Sequence, residues 1–440
     1  MADHPTRIRA ALAAGPLSAG ELRARLDVSR PTLARALATL PDEIVTWGAA
    51  RATQYALRDR LRDLPDMPVY RVSERGRITL LGQLIPVRPE GFVMAQTDGI
   101  TRHHEGLPWW LSDMRPQGFL GRAFARQQAP RLGLPADVRH WSDAHALRAL
   151  LASGADAVGN LLIGDLARDH FVNAPLPEAV RIDDYPRLAQ AALAAGEIGS
   201  SAGGEQPKFC AYTDAGHLLV KFTAPDDNPV TARWRDLLLA EHLALDTLRA
   251  AGVSAARSRI VDVGGQRFLE LERFDRVGTH GRHAVLSLAA LDGEFVGQAA
   301  QPWPVVTAAL LRQHVITEGA HAGAALLYAF GMFIGNTDMH AGNLSFVSDA
   351  GRPYTLSPAY DMLPMAFSPT ASGLVRDTLP ATVPLHPSVD GPTWTQAHVL
   401  ASQYLARMEH ESGLSIAFRP CVAALREKLK DLVERIARVG

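Results

Sequence analysis

The stretch that most constrains this chain is Leu327–Met362, LYAFGMFIGNTDMHAGNLSFVSDAGRPYTLSPAYDM. An apolar helical run ends at Gly335 and gives way to a polar burst of Asn336, Asp338, His340 and Asn343. A short β-like pair follows, and then a second acid, Asp361. Acid and amide stand five apart (343 − 338), and the second acid lies eighteen further on (361 − 343). Kinase phosphoryl transfer needs these parts: an Asp to accept the hydroxyl proton, an Asn for one Mg²⁺, and a downstream Asp bridging metal and phosphates. The D-x-x-x-x-N spacing equals that of the kinase catalytic loop, although His-Arg-Asp is absent and no Asp-Phe-Gly follows. The same residue types also serve as caps and turn formers where a helix ends. His340 can either orient Asp338 or support the fold.

A second run sits upstream. Gly199-Ser-Ser-Ala-Gly-Gly-Glu-Gln-Pro-Lys208 precedes two strand-like segments, Phe209–Thr213 and Leu218–Phe222. It is neither a Walker A nor a G-x-G-x-x-G pattern. Gly203, Gly204 and the small Ser200 and Ser201 would nevertheless let backbone amides approach phosphate oxygens as an anion nest; a tight hairpin turn is the other reading. Lys221 closes the apolar strand Leu218–Phe222 in the manner of a lysine that reaches α/β-phosphates. Trp234–Ala250 is a long amphipathic helix. Glu241 on it is the candidate partner for Lys221, with Asp236 a competitor on a nearby turn.

N-T-D-M-H-A-G-N followed by P-A-Y-D, with the upstream S-x-x-G-G-x-x-P-K run ending at Lys208, resembles the HipA-type serine/threonine kinases, the toxin half of bacterial toxin–antitoxin pairs. The resemblance covers roughly residues 70 to 440, and the added N-terminal segment makes the chain most similar to the YjjJ-type branch, in which a helix-turn-helix precedes the kinase. It implies ATP and Mg²⁺ as cofactors, Asp338 as general base, and Asn343 and Asp361 as metal ligands. It implies ATP contacts from the 199–208 loop and Lys221, and adenine bound by the backbone at Glu272 and Phe274 in the E-R-F-D-R hinge. It also implies autophosphorylation of a loop serine, Ser200 or Ser201. The acceptors known for such kinases are translation proteins such as aminoacyl-tRNA synthetases, and nothing in this chain selects one.

The first 62 residues read as three short helices and a two-stranded wing, a winged helix-turn-helix. Thr6–Ala14 ends at Gly15-Pro16. Ser18-Ala-Gly-Glu21 is a capping box opening Ala19–Leu26. Ser29 caps a third helix that has Pro31 in its first turn and runs to Leu40. Ile44–Trp47 and Thr53–Leu57 alternate as strands. Ten Arg against six acids give this segment +4, leaving −5 for the rest of a chain whose net charge is −1. Ser29, Arg30, Thr32 and Arg35 on the third helix would face a major groove of double-stranded DNA, with Arg51 of the wing on a neighbouring phosphate. A small interaction or dimerisation module would show the same apolar periodicity. Winged helices commonly bind DNA in pairs, which leaves a homodimer open.

At 440 residues the chain exceeds one ordinary domain. We expect an α+β protein: residues 1–62, the winged helix; 63–195, a subdomain and linker; 196–276, a small kinase lobe; 277–440, a mostly helical catalytic lobe. Pro65 and Pro68 mark the linker, and Val69–Val87 a small antiparallel sheet. Trp109 and Trp110 are expected in a core, His103-His104 in a solvated loop, and Lys428 and Arg435 on the solvated face of a closing helix. Two widely separated cysteines suit a reducing compartment. No apolar run is long enough for a membrane helix and no secretory segment opens the chain, so a cytoplasmic location is expected. A DNA-binding regulator whose kinase-like body only senses nucleotide is the alternative function. A metallophosphatase built on Asp338-x-His340 is weaker, since a two-metal centre needs further ligands.

Overall fold

A computed structural model describes residues 3–195, 206–348, 351–379 and 384–436. Ser200, Ser201, Gly203 and Gly204 lie outside them.

The N-terminal unit contains α1 (His4–Leu12), β1 (Leu17–Ser18), α2 (Ala19–Leu26), α3 (Arg30–Ala38), β2 (Ile44–Trp47) and β3 (Gln54–Leu57). The capping box holds as read: Ser18 Oγ accepts from the Glu21 amide at 3.2 Å, and Glu21 Oε2 accepts from the Ser18 amide at 2.7 Å. Ser29 caps α3 through the Thr32 amide. Ile8, Leu12, Leu22, Leu26 and Leu33 close a small core. A strand not anticipated, β1, completes a three-stranded sheet in the order β1-β3-β2.

This unit is docked rather than tethered. Val45 and Ala56 pack with Ile85, Val87 and Val93 of the next sheet, and the Trp47 ring stacks on His103 at 5.1 Å. The connection is pinned by Arg62, which donates to three backbone carbonyls, of Val87, Glu90 and Gly91. Pro68 is therefore no linker residue; it lies within β4 (Met67–Val72). With β5 (Ile78–Pro86), β6 (Phe92–Gln96), β7 (Thr101–His104) and β8 (Leu161–Ile163) that strand forms a sheet ordered β7-β6-β5-β4-β8. His103-His104 thus belong to an edge strand, not a loop. Helices α4 (Gly118–Leu132), α5 (Asp143–Ser153) and α6 (Asp165–Asn173) flank β8 in sequence; in α4 and α6, Arg, Gln and Asp interrupt short apolar patterns.

Next, α7 (Tyr185–Ala195) covers one face of a four-stranded antiparallel sheet, β9 (Lys208–Thr213), β10 (Gly216–Phe222), β11 (Ser258–Val263) and β12 (Gln266–Glu272), ordered β11-β12-β10-β9. Tyr185 and Ala189 share a core with Phe209, Phe222 and Phe268, so the packing places α7 with the small lobe, upstream of the expected boundary at 196. Helix α8 (Pro229–Ala250) covers the other face. Short strands β13 (Arg276–Val277), β14 (Gly281–Arg282) and β15 (Val285–Ser287) lead into α9 (Leu288–Phe295), α10 (Trp303–Arg312) and α11 (Glu318–Ile334). Strands β16 (Ser345–Val347) and β17 (Thr355–Leu356) pair beside β15. Helices α12 (Gly391–His410) and α13 (Arg419–Ile436) close the chain. Helix α11 is buried nearly throughout, with Phe330 and Phe333 inaccessible. It therefore presents its C-terminal end as a fixed platform. No helix among the described residues is long and apolar enough to cross a membrane.

Candidate active site

Gly335 ends α11 in the left-handed conformation at φ 80°, which a glycine adopts without a Cβ penalty. The chain then turns sharply, and buried Asn336 organises the loop beyond the turn. Its Oδ1 accepts from the Asp338 amide at 3.0 Å and its Nδ2 donates to the Asp361 carbonyl at 3.1 Å. One amide side chain thus fixes the backbone at both acids. Asn343 Nδ2 donates to the Asp338 carbonyl at 2.8 Å, which orients the amide so that its oxygen lies at the other end. Tyr360 ties the two segments again, donating to the Gly342 carbonyl at 2.9 Å and sharing a hydrogen bond with Ser345 Oγ. Asp361 itself has φ 53°, a left-handed backbone that persists only where its surroundings over-determine it. Sequence reasoning gave Asn336 and Tyr360 no role; both sit inside the quoted motifs, but their work is backbone bracing that no spacing rule encodes.

Lys221 does not point out of its strand into solvent. Its side chain is 5% exposed, and Nζ donates to both Glu241 oxygens at 2.7 and 2.8 Å and to Asp361. Glu241 is therefore the partner, and the competitor Asp236 is occupied elsewhere, accepting from the Ser415 amide and hydroxyl. Burial pulls the Lys221 ammonium down, but Asp361 and Glu241 outweigh it and keep the group firmly protonated. Burial pushes Asp361 up; Lys221 and Lys208 outweigh that and hold the carboxyl below its ordinary value. Burial pushes Glu241 up, with Lys221 opposing.

These groups face a cleft of about 1330 Å³ lined by Lys208, Lys221, Glu241, Asp338, Asn343 and Asp361 together. Asp338 and His340 remain about half exposed, at 55% and 61%. His340 Nδ1 accepts from the Gly342 amide at 3.0 Å, which leaves Nε2 as the side facing Asp338 at 3.9 Å; the histidine supports the loop and faces its acid at once. Trp303 Nε1 donates to the His340 carbonyl at 3.2 Å. The edge strand β7 contributes His103 and His104, and Glu105 follows them, to the same cleft, which the reading of those histidines as a solvated loop missed. Trp109 is half-buried against Phe295 and Trp110 against His104. Asp113, whose carboxyl burial pushes up, accepts from the Ser287 amide and hydroxyl and so ties the middle unit to the start of α9.

Other expected residues fall elsewhere. Glu272 and Phe274 do not line the cleft: the Glu272 amide is taken by the Arg257 carbonyl at 2.9 Å, and the Phe274 ring lies against Tyr360. Ser29, Arg30, Arg35 and Arg51 are exposed and Thr32 half-buried. Lys428 is not on a solvated face, since its ammonium donates to the Met332 carbonyl at 2.9 Å and burial lowers its pKa to about 8. Among the described residues no group of three or more His, Cys, Asp or Glu could hold a metal ion.

Residues 63–172 match the family model described as YjjJ-like toxin, middle domain, and residues 200–437 match HipA-like C-terminal domain. Toxin YjjJ of Escherichia coli (strain K12) is 39% identical over 436 residues, 97% of this chain and 98% of that protein. A chain of the Shewanella oneidensis MR-1 toxin–antitoxin complex of HipA, HipB and operator DNA superposes with a TM-score of 0.53 at 16% identity, covering 85% of this chain and 99% of its own. That likeness concerns the fold. A Helicobacter pylori proinflammatory kinase, CtkA, matches at a TM-score of 0.37 and 13% identity over 53% of this chain and 92% of its own. With both halves of the body matched and the curated relative aligned nearly end to end, the chain belongs to the HipA-like toxin family, in its YjjJ-type branch.

Proposed function

We propose that the protein is an ATP- and Mg²⁺-dependent kinase that phosphorylates a serine or threonine hydroxyl on a protein. The observation that carries this reading is the meeting of Lys221, Glu241 and Asp361 in the cleft that Asp338 and Asn343 also line. Lys221, held between two carboxylates, is positioned for nucleotide phosphate oxygens. The carboxylate of Asp361 and the amide oxygen of Asn343 are the hard oxygen donors that Mg²⁺ takes. When bound, the metal would neutralise charge on the phosphates. Asp338 accepts the proton as the acceptor oxygen attacks the γ-phosphorus, the bond to the β–γ bridging oxygen breaks, and ADP leaves. Because positioning dominates such transfers, the bracing by Asn336 and Tyr360 is part of the machinery. Ser200 or Ser201, in the run Gly199–Lys208, is the proposed site of autophosphorylation.

The N-terminal unit we read as a winged helix that binds double-stranded DNA through Ser29, Arg30, Thr32 and Arg35, with Arg51 on the backbone, so that one chain could repress its own promoter. The HipA complex that shares this fold was solved with HipB and operator DNA; here the reader would be part of the toxin chain. A gel-shift assay in which the protein never retards its own promoter fragment would remove that part. The second reading, a nucleotide sensor without transfer, has one feature in its favour: Asp361 is bonded to Lys221. Radiolabelled ATP separates the two. Label on protein that disappears in Asp338→Ala supports transfer, whereas nucleotide bound without label supports the sensor.

A further inference from the structure

The catalytic loop has two faces, and the nucleotide cleft uses one. On the other lies a second cavity of about 580 Å³, between the start of α10, the end of α11 and α13. Thr337, Asp338 and His340 line both cavities. A hydroxyl can therefore approach Asp338 from this side while nucleotide phosphates occupy the other. Pro302, Trp303, Tyr328 and Met332 make the wall largely apolar. Among the described residues that line it, Asp338 is the only carboxylate and Lys428 the only lysine or arginine.

Lys428 reaches the cavity from α13. Its one hydrogen bond to a described residue goes to the Met332 carbonyl in the last turn of α11, a favourable place for a cation. An ammonium has three N–H donors, so this bond leaves capacity toward the cavity. Gly335 carries no side chain; a Cβ there would stand 3.9 Å from Lys428 Nζ. The ammonium is thus partly stripped of water beside the loop that carries Asp338, and burial lowers its pKa to about 8, which leaves it charged at neutral pH. A dehydrated cation gains more from an anion than a solvated one does.

We infer that this second cavity seats the phosphoacceptor segment, and that Lys428 selects acceptors carrying a carboxylate side chain close to the target serine or threonine. The inference rests on the kinase reading above and adds to it a substrate class. Lys428 acts here as a specificity residue, remote from the transferred phosphoryl group.

The test uses the full-length protein, Mg²⁺ and labelled ATP with three serine peptides flanked by Glu, Gln or Lys. The readout is the ratio of kcat/KM between the Glu- and Lys-flanked peptides. Wild type should favour Glu at least tenfold, Lys428→Met should bring the ratio to about two, and Lys428→Glu should invert it. Lys428→Arg, which keeps the charge, should keep the preference. A variant that is only less stable lowers both peptides together and leaves the ratio as it was, which would count against selection by Lys428. Equal use of the peptides by wild type overturns the inference, as does ATP turnover with no peptide labelled. Wild type that binds no nucleotide overturns the kinase reading instead, so the two failures are distinguishable.

Discussion

Lys221, Glu241 and Asp361 form one buried ionic cluster; Arg273, Asp275, Arg276 and Arg282, with Asp156 at the rim, form another at the end of β12. The first keeps a reachable edge, since the Asp361 side chain is 28% exposed to the cleft. The second is closed over apart from Asp156, whose side chain is 66% exposed. Arg276 donates to Asp275, Asp156 and the Gly159 carbonyl, Arg282 donates to the Ala155 carbonyl, and Asp275 accepts from the Gly159 amide. Its partners come from the middle unit, so it knots that unit to the kinase-like body. The same ingredients thus face a cleft in one place and join two units in the other. Of E-R-F-D-R, expected to be an adenine hinge, Arg273, Asp275 and Arg276 belong to the knot, while Glu272 pairs with Arg257.

The sharpest division between the clusters should appear in rate. Asp338→Asn is expected to lower kcat for phosphoryl transfer by about 10²–10⁴-fold, the usual contribution of a positioned base, with little change in melting temperature. Asp275→Asn should leave kcat within about twofold. Single-turnover transfer of labelled phosphate measures both, and a comparable rate loss in the two variants would erase the distinction between cleft and knot.

Stability should show the reverse. Asp275→Ala removes one partner of a buried pair and strands Arg273 and Arg276, at a cost of about 3–5 kcal/mol. Asp338→Ala, at a half-exposed side chain, should cost less than about 1 kcal/mol. Urea unfolding followed by circular dichroism gives both numbers. The knot also has a pH signature. Burial pushes Asp275 up, but Arg273 and Arg276 outweigh it and hold the carboxyl at about 2, against 3.8 ordinarily. A depressed carboxylate contributes stability above its unfolded pKa and loses it as pH falls through the folded one. About 2 kcal/mol should therefore disappear between roughly pH 4 and 2. Asp275→Asn should flatten that acid limb; an unchanged limb would mean the knot is not what holds the units.

How much of this was legible beforehand obeys the same division. The spacing of Asp338, Asn343 and Asp361 is local enough to read, as are the caps at Ser18 and Ser29, because each acts within a turn or a loop of its own chain segment. Glu241 could be nominated but not chosen over Asp236, since only the packing of α8 on the sheet decides which carboxylate meets Lys221. Strand β1, the placement of α7 on the small lobe and the knot were invisible for that reason: their partners lie far away in sequence, and a two-residue strand or a lone Arg carries no periodicity. The reading of Lys428 as solvated failed differently. Its helix is amphipathic as expected, but a residue at the margin of the apolar face is buried or not according to what stands opposite, here the end of α11.

The smallest effect concerns how the two clusters are held. In the knot, charged side chains do the holding, of one another and of backbone at Ala155 and Gly159. In the cleft, a neutral amide holds the acids by their backbones, since Asn336 meets the Asp338 amide and the Asp361 carbonyl rather than either carboxylate. Asn336→Ala should therefore relax the geometry without changing the charge of the site. Losing two hydrogen bonds of about 1 kcal/mol each, partly replaced by water, gives about a tenfold fall in kcat. A change in position rather than charge leaves the pH–rate profile where it was, and KM for ATP close to wild type. If Asn336→Ala instead shifts the acid limb of that profile, the amide tunes a carboxylate directly, and the contrast between a neutral brace and a charged knot is wrong.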